Sequence, residues 1–152
     1  MSDDTLLNVE DLVVRFAVKR GRGFGKNAYL HAVDNVNFTV KRGETLAIVG
    51  ESGSGKTTAA LAVARLVTSY QGKVELNGTD LLHLSDEDLR QARAKVQFIF
   101  QDPYSSLNPR LRASDIVREP MDSLGNMTET EKSERIDFLF EAVGLRPEQQ
   151  RL

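Results

Sequence analysis

Gly50-Glu51-Ser52-Gly53-Ser54-Gly55-Lys56-Thr57 is the stretch on which the reading of this chain turns. It is a complete G-x-x-x-x-G-K-[ST] loop, entered from the apolar run Thr45 to Val49 and left through the helix-favouring Thr58-Ala59-Ala60-Leu61-Ala62-Val63-Ala64. Strand, glycine loop and helix in that order are the context in which the motif cradles phosphate. Glycines let the backbone close round an anion, and N–H groups at the helix N-terminus then point at it. Lys56 would reach the β- and γ-phosphates, and the Thr57 hydroxyl would ligate Mg²⁺. A flexible Gly/Ser loop that happens to carry a lysine is the plainer alternative, but the flanking strand and helix argue against it. The loop is expected to bind a nucleoside triphosphate.

Working outward, 152 residues are enough for one domain with a fair-sized core. Lys plus Arg number 20 and Asp plus Glu 22, a net charge of −2. That balance offers no case for sequence-independent nucleic-acid binding, which needs a basic face. With no cysteine there is neither a disulfide framework nor a thiolate zinc site. His31 and His83, far apart in the chain, read as surface or loop residues rather than metal ligands. The start, MSDDTLLNVED, is acidic where a secretion signal would be basic and then apolar. No apolar run approaches the roughly 18 residues of a membrane span. A soluble, cytoplasmic protein is expected, working at a membrane only by docking onto something else.

Before the loop, Leu6 to Phe16 is β-rich, and Lys19 to Lys26 reads as a solvated hairpin loop, with a phosphate or lipid-surface contact as the alternative. Val36 to Val40 alternates apolar and polar, as a half-buried antiparallel strand does. Thr45 to Val49 is almost continuously apolar and predicts a strand buried on both faces. The helix after the loop is expected to reach about Val67. Gly72 to Gly78 predicts a short strand returning to the antiparallel sheet, and Ser85 with Asp88 has capping-box spacing for a helix to about Ala94. Val96 to Phe100 is another candidate strand. Gln101 to Pro109 is full of turn formers and reads as loop. Ser114 can cap a short helix that Pro120 would bend or stop. Thr128 and Glu131 form a second capping box, for a helix with Ile136, Leu139, Phe140 and Val143 on one face and a stop at Gly144.

GESGSGKTT, then GKVELNGTDL, then IFQDPYSSLNPR stand in the order found in the nucleotide-binding subunits of ABC transporters, which this chain resembles. The last segment looks like the Q-loop of the oligopeptide/dipeptide (peptide/nickel) importer branch, as do VRFAVKRGRGFGK and AVDNVNFTVKRGETLAIVGESGSGKTT. The resemblance runs over essentially the whole chain. It implies an α/β fold: an incomplete P-loop NTPase (RecA-like) core, an N-terminal antiparallel β-subdomain and the start of a helical subdomain. The antiparallel part would take about 1–44 and 72–80, the core about 45–71 and 81–103, and the helical part about 104–152.

The resemblance also assigns roles. Gly50, Glu51, Ser52, Gly53, Ser54, Gly55, Lys56 and Thr57 would bind the phosphates of ATP, with Thr58 helping at the α-phosphate. Gln101 would lie beside Mg²⁺ and the attacking water and report the γ-phosphate state to a membrane partner; its plainer reading is a capping amide at a strand end. Phe16 matches the aromatic that stacks on adenine, with a core phenylalanine as the rival reading. Gln101 to Arg112 would lie near the surface that receives a transmembrane permease subunit. A second ATPase subunit, identical or related, would complete the assembly on the inner face of the cell membrane.

Phosphoryl transfer to water needs more than a cradle: an acidic residue for Mg²⁺ and a group that orients or deprotonates the water. The family's Asp-Glu after four apolar residues and its L-S-G-G-Q-like signature do not occur in these residues. The chain stops about where the family approaches that signature, so it reads as the N-terminal half of an importer ATPase, inactive alone and prone to self-association. Two readings stand beside this one. If the native chain is this short, it is a non-catalytic nucleotide-binding or interaction module. Another P-loop NTPase, a GTPase or kinase, is the other, against which stand the lack of N-K-x-D and of an arginine-rich lid.

Overall fold

The structure is a computed structural model that describes residues 4–18, 28–102, 106–125 and 127–151. The expected loop Lys19 to Lys26 and Tyr104 lie outside the described residues. The chain divides into two compact units, Met1–Val96 and Gln97–Leu152.

The first unit is built on two long strands, β1 (Thr5–Val18) and β2 (Ala28–Lys41), which pair antiparallel with Val9 opposite Phe38 and Phe16 opposite Leu30. A third strand, β3 (Gln71–Leu76), pairs antiparallel with the other side of β1, and the short β4 (Thr79–Asp80) closes the order β2-β1-β3-β4. β1 puts Val9, Leu12 and Val14 into the core, the odd step from Val9 to Leu12 being taken up by an irregularity between them, and there they meet Val33, Val74 and Leu81. A bulge near Asp11 breaks the register, and Asp11 donates its N–H to the Asn37 side chain at 2.8 Å. Gly72 passes this bulge so closely that a Cβ there would lie 2.7 Å from the Asp11 carbonyl oxygen and 2.7 Å from Leu12 Cα.

Helix α1 (Lys56–Val63) covers the sheet with Ala59 and Ala62. Instead of reaching Val67 it ends at Val63, because Arg65 adopts a left-handed conformation at φ 52°. Arg65 donates its N–H to the Ala62 carbonyl at 3.0 Å and Leu66 donates to Leu61 at 2.8 Å, the bond pair of a Schellman stop. The Arg93 side chain accepts the job of filling the helix end, donating to the Arg65 carbonyl at 2.6 Å. Arg93 comes from α2 (Asp86–Arg93), whose cap is the expected one: Ser85 Oγ accepts from the Asp88 N–H at 3.2 Å.

Two expected strands are not formed. Thr45 to Val49 has no strand pairing, and Leu46, Ile48 and Val49 are exposed, Val49 to 87%. Val96 to Phe100 is likewise unpaired, and Ile99 is 91% exposed. The physical reason is the same in both: a strand buried on two faces needs flanking strands, and the four described strands form an antiparallel sheet that neither segment joins.

The second unit is a helix pair. In α3 (Ala113–Leu124) Arg112, not Ser114, is the N-cap, and Pro120 lies inside the helix without stopping it. In α4 (Glu129–Ala142) the capping box is complete, Thr128 Oγ1 accepting from the Glu131 N–H while the Glu131 carboxylate accepts from the Thr128 N–H at 2.7 Å. Ile136 and Phe140 are buried and Leu139 half-buried, but Val143 is 70% exposed, since the helix ends at Ala142 and the chain turns at Gly144 as expected. Asp122 and Glu129 are bridged by Lys132 at 2.6 and 3.0 Å, and also by Arg118.

Candidate functional site

The loop Gly50 to Gly55 leaves the unpaired segment 45–49 and turns on itself, with the Ser54 N–H donating to the Glu51 carbonyl at 3.3 Å. It delivers Lys56 as the first residue of α1. The helix N-cap is Gly55, and no side chain caps it. The first-turn amides are therefore left for an outside acceptor, reinforced by the positive end of the helix dipole. Gly55 is there because nothing larger fits: at φ +92°, a Cβ would stand 2.0 Å from the Ala32 carbonyl oxygen of β2. The loop is seated directly on the sheet.

Lys56 folds back over the loop. Its Nζ donates to the Gly50 carbonyl at 2.9 Å, the Glu51 carbonyl at 2.6 Å and Ser54 Oγ at 3.4 Å. This holds a cation over the centre of a ring of backbone dipoles, poised to exchange carbonyl oxygens for stronger phosphate oxygens. Thr57 is exposed and Thr58 half-buried in the first turn of the helix.

A cleft of about 540 Å³ opens over this turn. It is lined by Gly53 to Thr58 of the loop and helix and by Phe16, Leu30, His31 and Ala32 of the two long strands. Phe16 is thus not a core residue; it is 43% exposed and lines the same cleft as the glycine loop. Leu30 and Ala32 carried no signal in the sequence, because their place follows from the cross-strand register with β1. The cleft brings an aromatic and an aliphatic side chain from the strands, with His31 beside them, together with the amides and the ammonium of the loop and helix. A planar apolar group carrying a polyanionic tail matches that combination.

Thr57 offers a single hard oxygen, and among the described residues no cluster of three acidic or histidine side chains stands ready for a metal. That donor set fits Mg²⁺, which keeps most of its waters and takes its other ligands from substrate phosphates. It does not fit an ion that requires an all-protein cage. Gln101 belongs to the second unit, where it is exposed. Nearby, Asn108 accepts the Arg110 N–H on its side chain at 3.1 Å, and Leu107 and Leu111 are exposed.

Residues 33–152 match the model of the family described as ABC transporter. The chain is 41% identical over 145 residues to a probable peptide ABC transporter ATP-binding protein of Sinorhizobium fredii, covering 95% of this chain and 41% of that protein. It is 40% identical over 147 residues to the oligopeptide transport ATP-binding protein AppF of Bacillus subtilis, covering 96% and 45%. It thus spans less than half the length of these relatives. Among solved structures it superposes, with a TM-score of 0.77 and 26% identity, on an ATP-binding cassette whose dimer was captured in a post-hydrolysis state with ADP and Pi. That match covers 96% of this chain and 60% of the cassette.

Proposed function

Because this chain belongs to the ABC transporter family, we propose that it forms the ATP-binding part of an importer's ATPase subunit, coupling nucleotide binding and hydrolysis to uptake of peptides or a related solute. The observation that carries the reading is the single cleft shared by Phe16, the glycine loop and the uncapped start of α1. The names of the relatives, for peptide and oligopeptide transport, support the solute class.

In this reading adenine stacks on Phe16, and the amides of Gly50 to Thr57 take the phosphates. Lys56 trades its bonds to the Gly50 and Glu51 carbonyls for phosphate oxygens, and Thr58 donates at the α-phosphate. Thr57 gives Mg²⁺ one oxygen, and the ion when bound neutralises phosphate charge. Gln101 is assigned to the metal and the attacking water, since its carboxamide can both accept and donate. The stretch Gln101 to Arg112, with Leu107 and Leu111 exposed, is assigned to a transmembrane permease subunit, and a second ATPase subunit to the pairing seen in the similar cassette's dimer. Among the described residues no helix is long and apolar enough to cross a membrane, which suits a peripheral place on the cytoplasmic face.

The test is a competition between ATP and GTP for the purified protein, wild type and Phe16→Ala. Stacking of a base on an aromatic is worth roughly 1–3 kcal/mol. ATP binding that weakens about tenfold in Phe16→Ala, with no preference for GTP, is the expected result. A marked preference for GTP, or ATP affinity indifferent to Phe16, would overturn the assignment.

A further inference from the structure

We infer that Arg15 is a positioning residue for the nucleotide base: stacked between Tyr29 and Tyr70, it fixes the strand end from which Phe16 faces the cleft. The inference rests on the adenine-stacking role proposed for Phe16 and adds what holds that ring in place.

The need for such a device follows from the sheet. β1 is flanked on both sides only as far as Val13, which pairs with Gln71 at the start of β3. From Val14 to Val18 it pairs with β2 alone. Two-stranded ribbons are marginal in water and twist readily. Beyond Val14, which the core still holds, this one leaves Phe16, Val18, Tyr29 and Leu30 exposed, so the core does not grip its end. Yet Phe16 must keep a defined distance from Gly53 to Thr58, because a base stacked on it is tied to phosphates held by the loop.

Adjacent residues of a strand face opposite sides, so Arg15 and Phe16 emerge on opposite faces of the ribbon. On the Arg15 face, the guanidinium carbon lies 4.5 Å from the centre of the Tyr29 ring and 2.9 Å from that of Tyr70. Each ring face lies against the guanidinium, in direct contact at Tyr70, and a π face attracts the charge it faces. Tyr29 belongs to the ribbon itself, opposite Ala17. Tyr70 does not: it stands just before β3, and its N–H donates to the Val13 carbonyl at 2.8 Å. The stack therefore ties the free ribbon to the point where the three-stranded sheet begins. No other cation–π pair among the described residues bridges two strands in this way; the remaining one, Arg135 over Phe138, lies within α4.

The experiment compares ATP with inorganic tripolyphosphate, which has the phosphates but no base to stack. Wild type, Arg15→Ala, Arg15→Lys and Tyr70→Leu are titrated with each, and thermal melting is followed in parallel. The expected result is ATP affinity about five- to tenfold weaker in Arg15→Ala and Tyr70→Leu, unchanged tripolyphosphate affinity, and recovery of most of the loss in Arg15→Lys. If Arg15→Ala leaves the ATP advantage intact, or weakens both ligands equally, the inference is overturned; Tyr70→Leu decides the same point should Arg15→Ala fail to fold. If wild type shows no ATP advantage over tripolyphosphate, the stacking role of Phe16 fails first and the inference with it.

Discussion

At the scale of single residues, Gly55 is where fold and site coincide. It caps α1, shapes the loop and lies against the Ala32 carbonyl. A methyl group in that position meets backbone, which cannot swing away. Gly55→Ala is expected to lose nucleotide binding and to destabilise the protein by at least about 2 kcal/mol, from left-handed strain and the clash together. A urea denaturation curve indistinguishable from wild type would contradict the packing argument. The motif marked Gly55 from the sequence alone, but for its approach to phosphate. Its second reason, a strand carbonyl more than twenty residues earlier in the chain, is long-range and leaves no local trace. Phe16 shows the same limit from the other side. Its apolar ring fitted a core as well as a ligand site, and only the register with Leu30 distinguishes them.

At the scale of elements, the caps were legible because capping is local. Ser85 and Thr128 both bond three residues ahead as their spacing predicts. Thr128→Ala is expected to cost about 1 kcal/mol of stability, measured by chemical denaturation. The end of α1 was not legible, since its Schellman stop carries Arg65 where glycine is usual and is supported from α2 by Arg93. Pro120 did not act as a stop either: α3 runs on through it to Leu124. The joint between α3 and α4 is electrostatic. Bonds from Arg118 and then Lys132 hold the Asp122 carboxyl below its usual range, and bonds from Lys132 and then Arg118 do the same for Glu129. A lowered folded-state pKa means stability that is fully present above the ordinary carboxylate range and lost as pH falls through the lowered values. The helix pair should therefore weaken below about pH 4. In Lys132→Met the depression shrinks, so stability at pH 7 falls and its loss on acidification becomes shallower. Circular dichroism melts at pH 7 and pH 3 read both, and identical pH dependence in the two proteins would refute the staple.

At the scale of the whole molecule, the antiparallel sheet was legible, while among the described residues the two segments expected in the parallel core do not pair as strands. Composition correctly marked Thr45 to Val49 and Val96 to Phe100 as apolar, but a strand buried on both faces depends on neighbours that its own residues do not specify. Leu46, Ile48 and Val49 stay exposed as a result, beside an apolar groove of about 660 Å³ that Val36 and Phe38 also line. These 152 residues on their own are expected to self-associate through such surfaces; a monodisperse monomer in light scattering would contradict this. They are also expected to bind ATP without turning it over, because Lys56, Thr57 and Gln101 include neither an acidic metal ligand nor a base for water. Steady phosphate release abolished by Lys56→Ala would show otherwise. The central claim, that the cleft over α1 is a nucleotide site, is tested most directly by calorimetric titration of Mg²⁺–ATP into wild type and Lys56→Ala. Lys56 bonds only exposed loop carbonyls and a hydroxyl here, so its removal should leave melting nearly unchanged. Saturable binding in wild type that weakens about ten- to a hundredfold in Lys56→Ala, as loss of a charge-assisted bond dictates, is the predicted result. No binding in wild type, or equal binding in the two proteins, would contradict it.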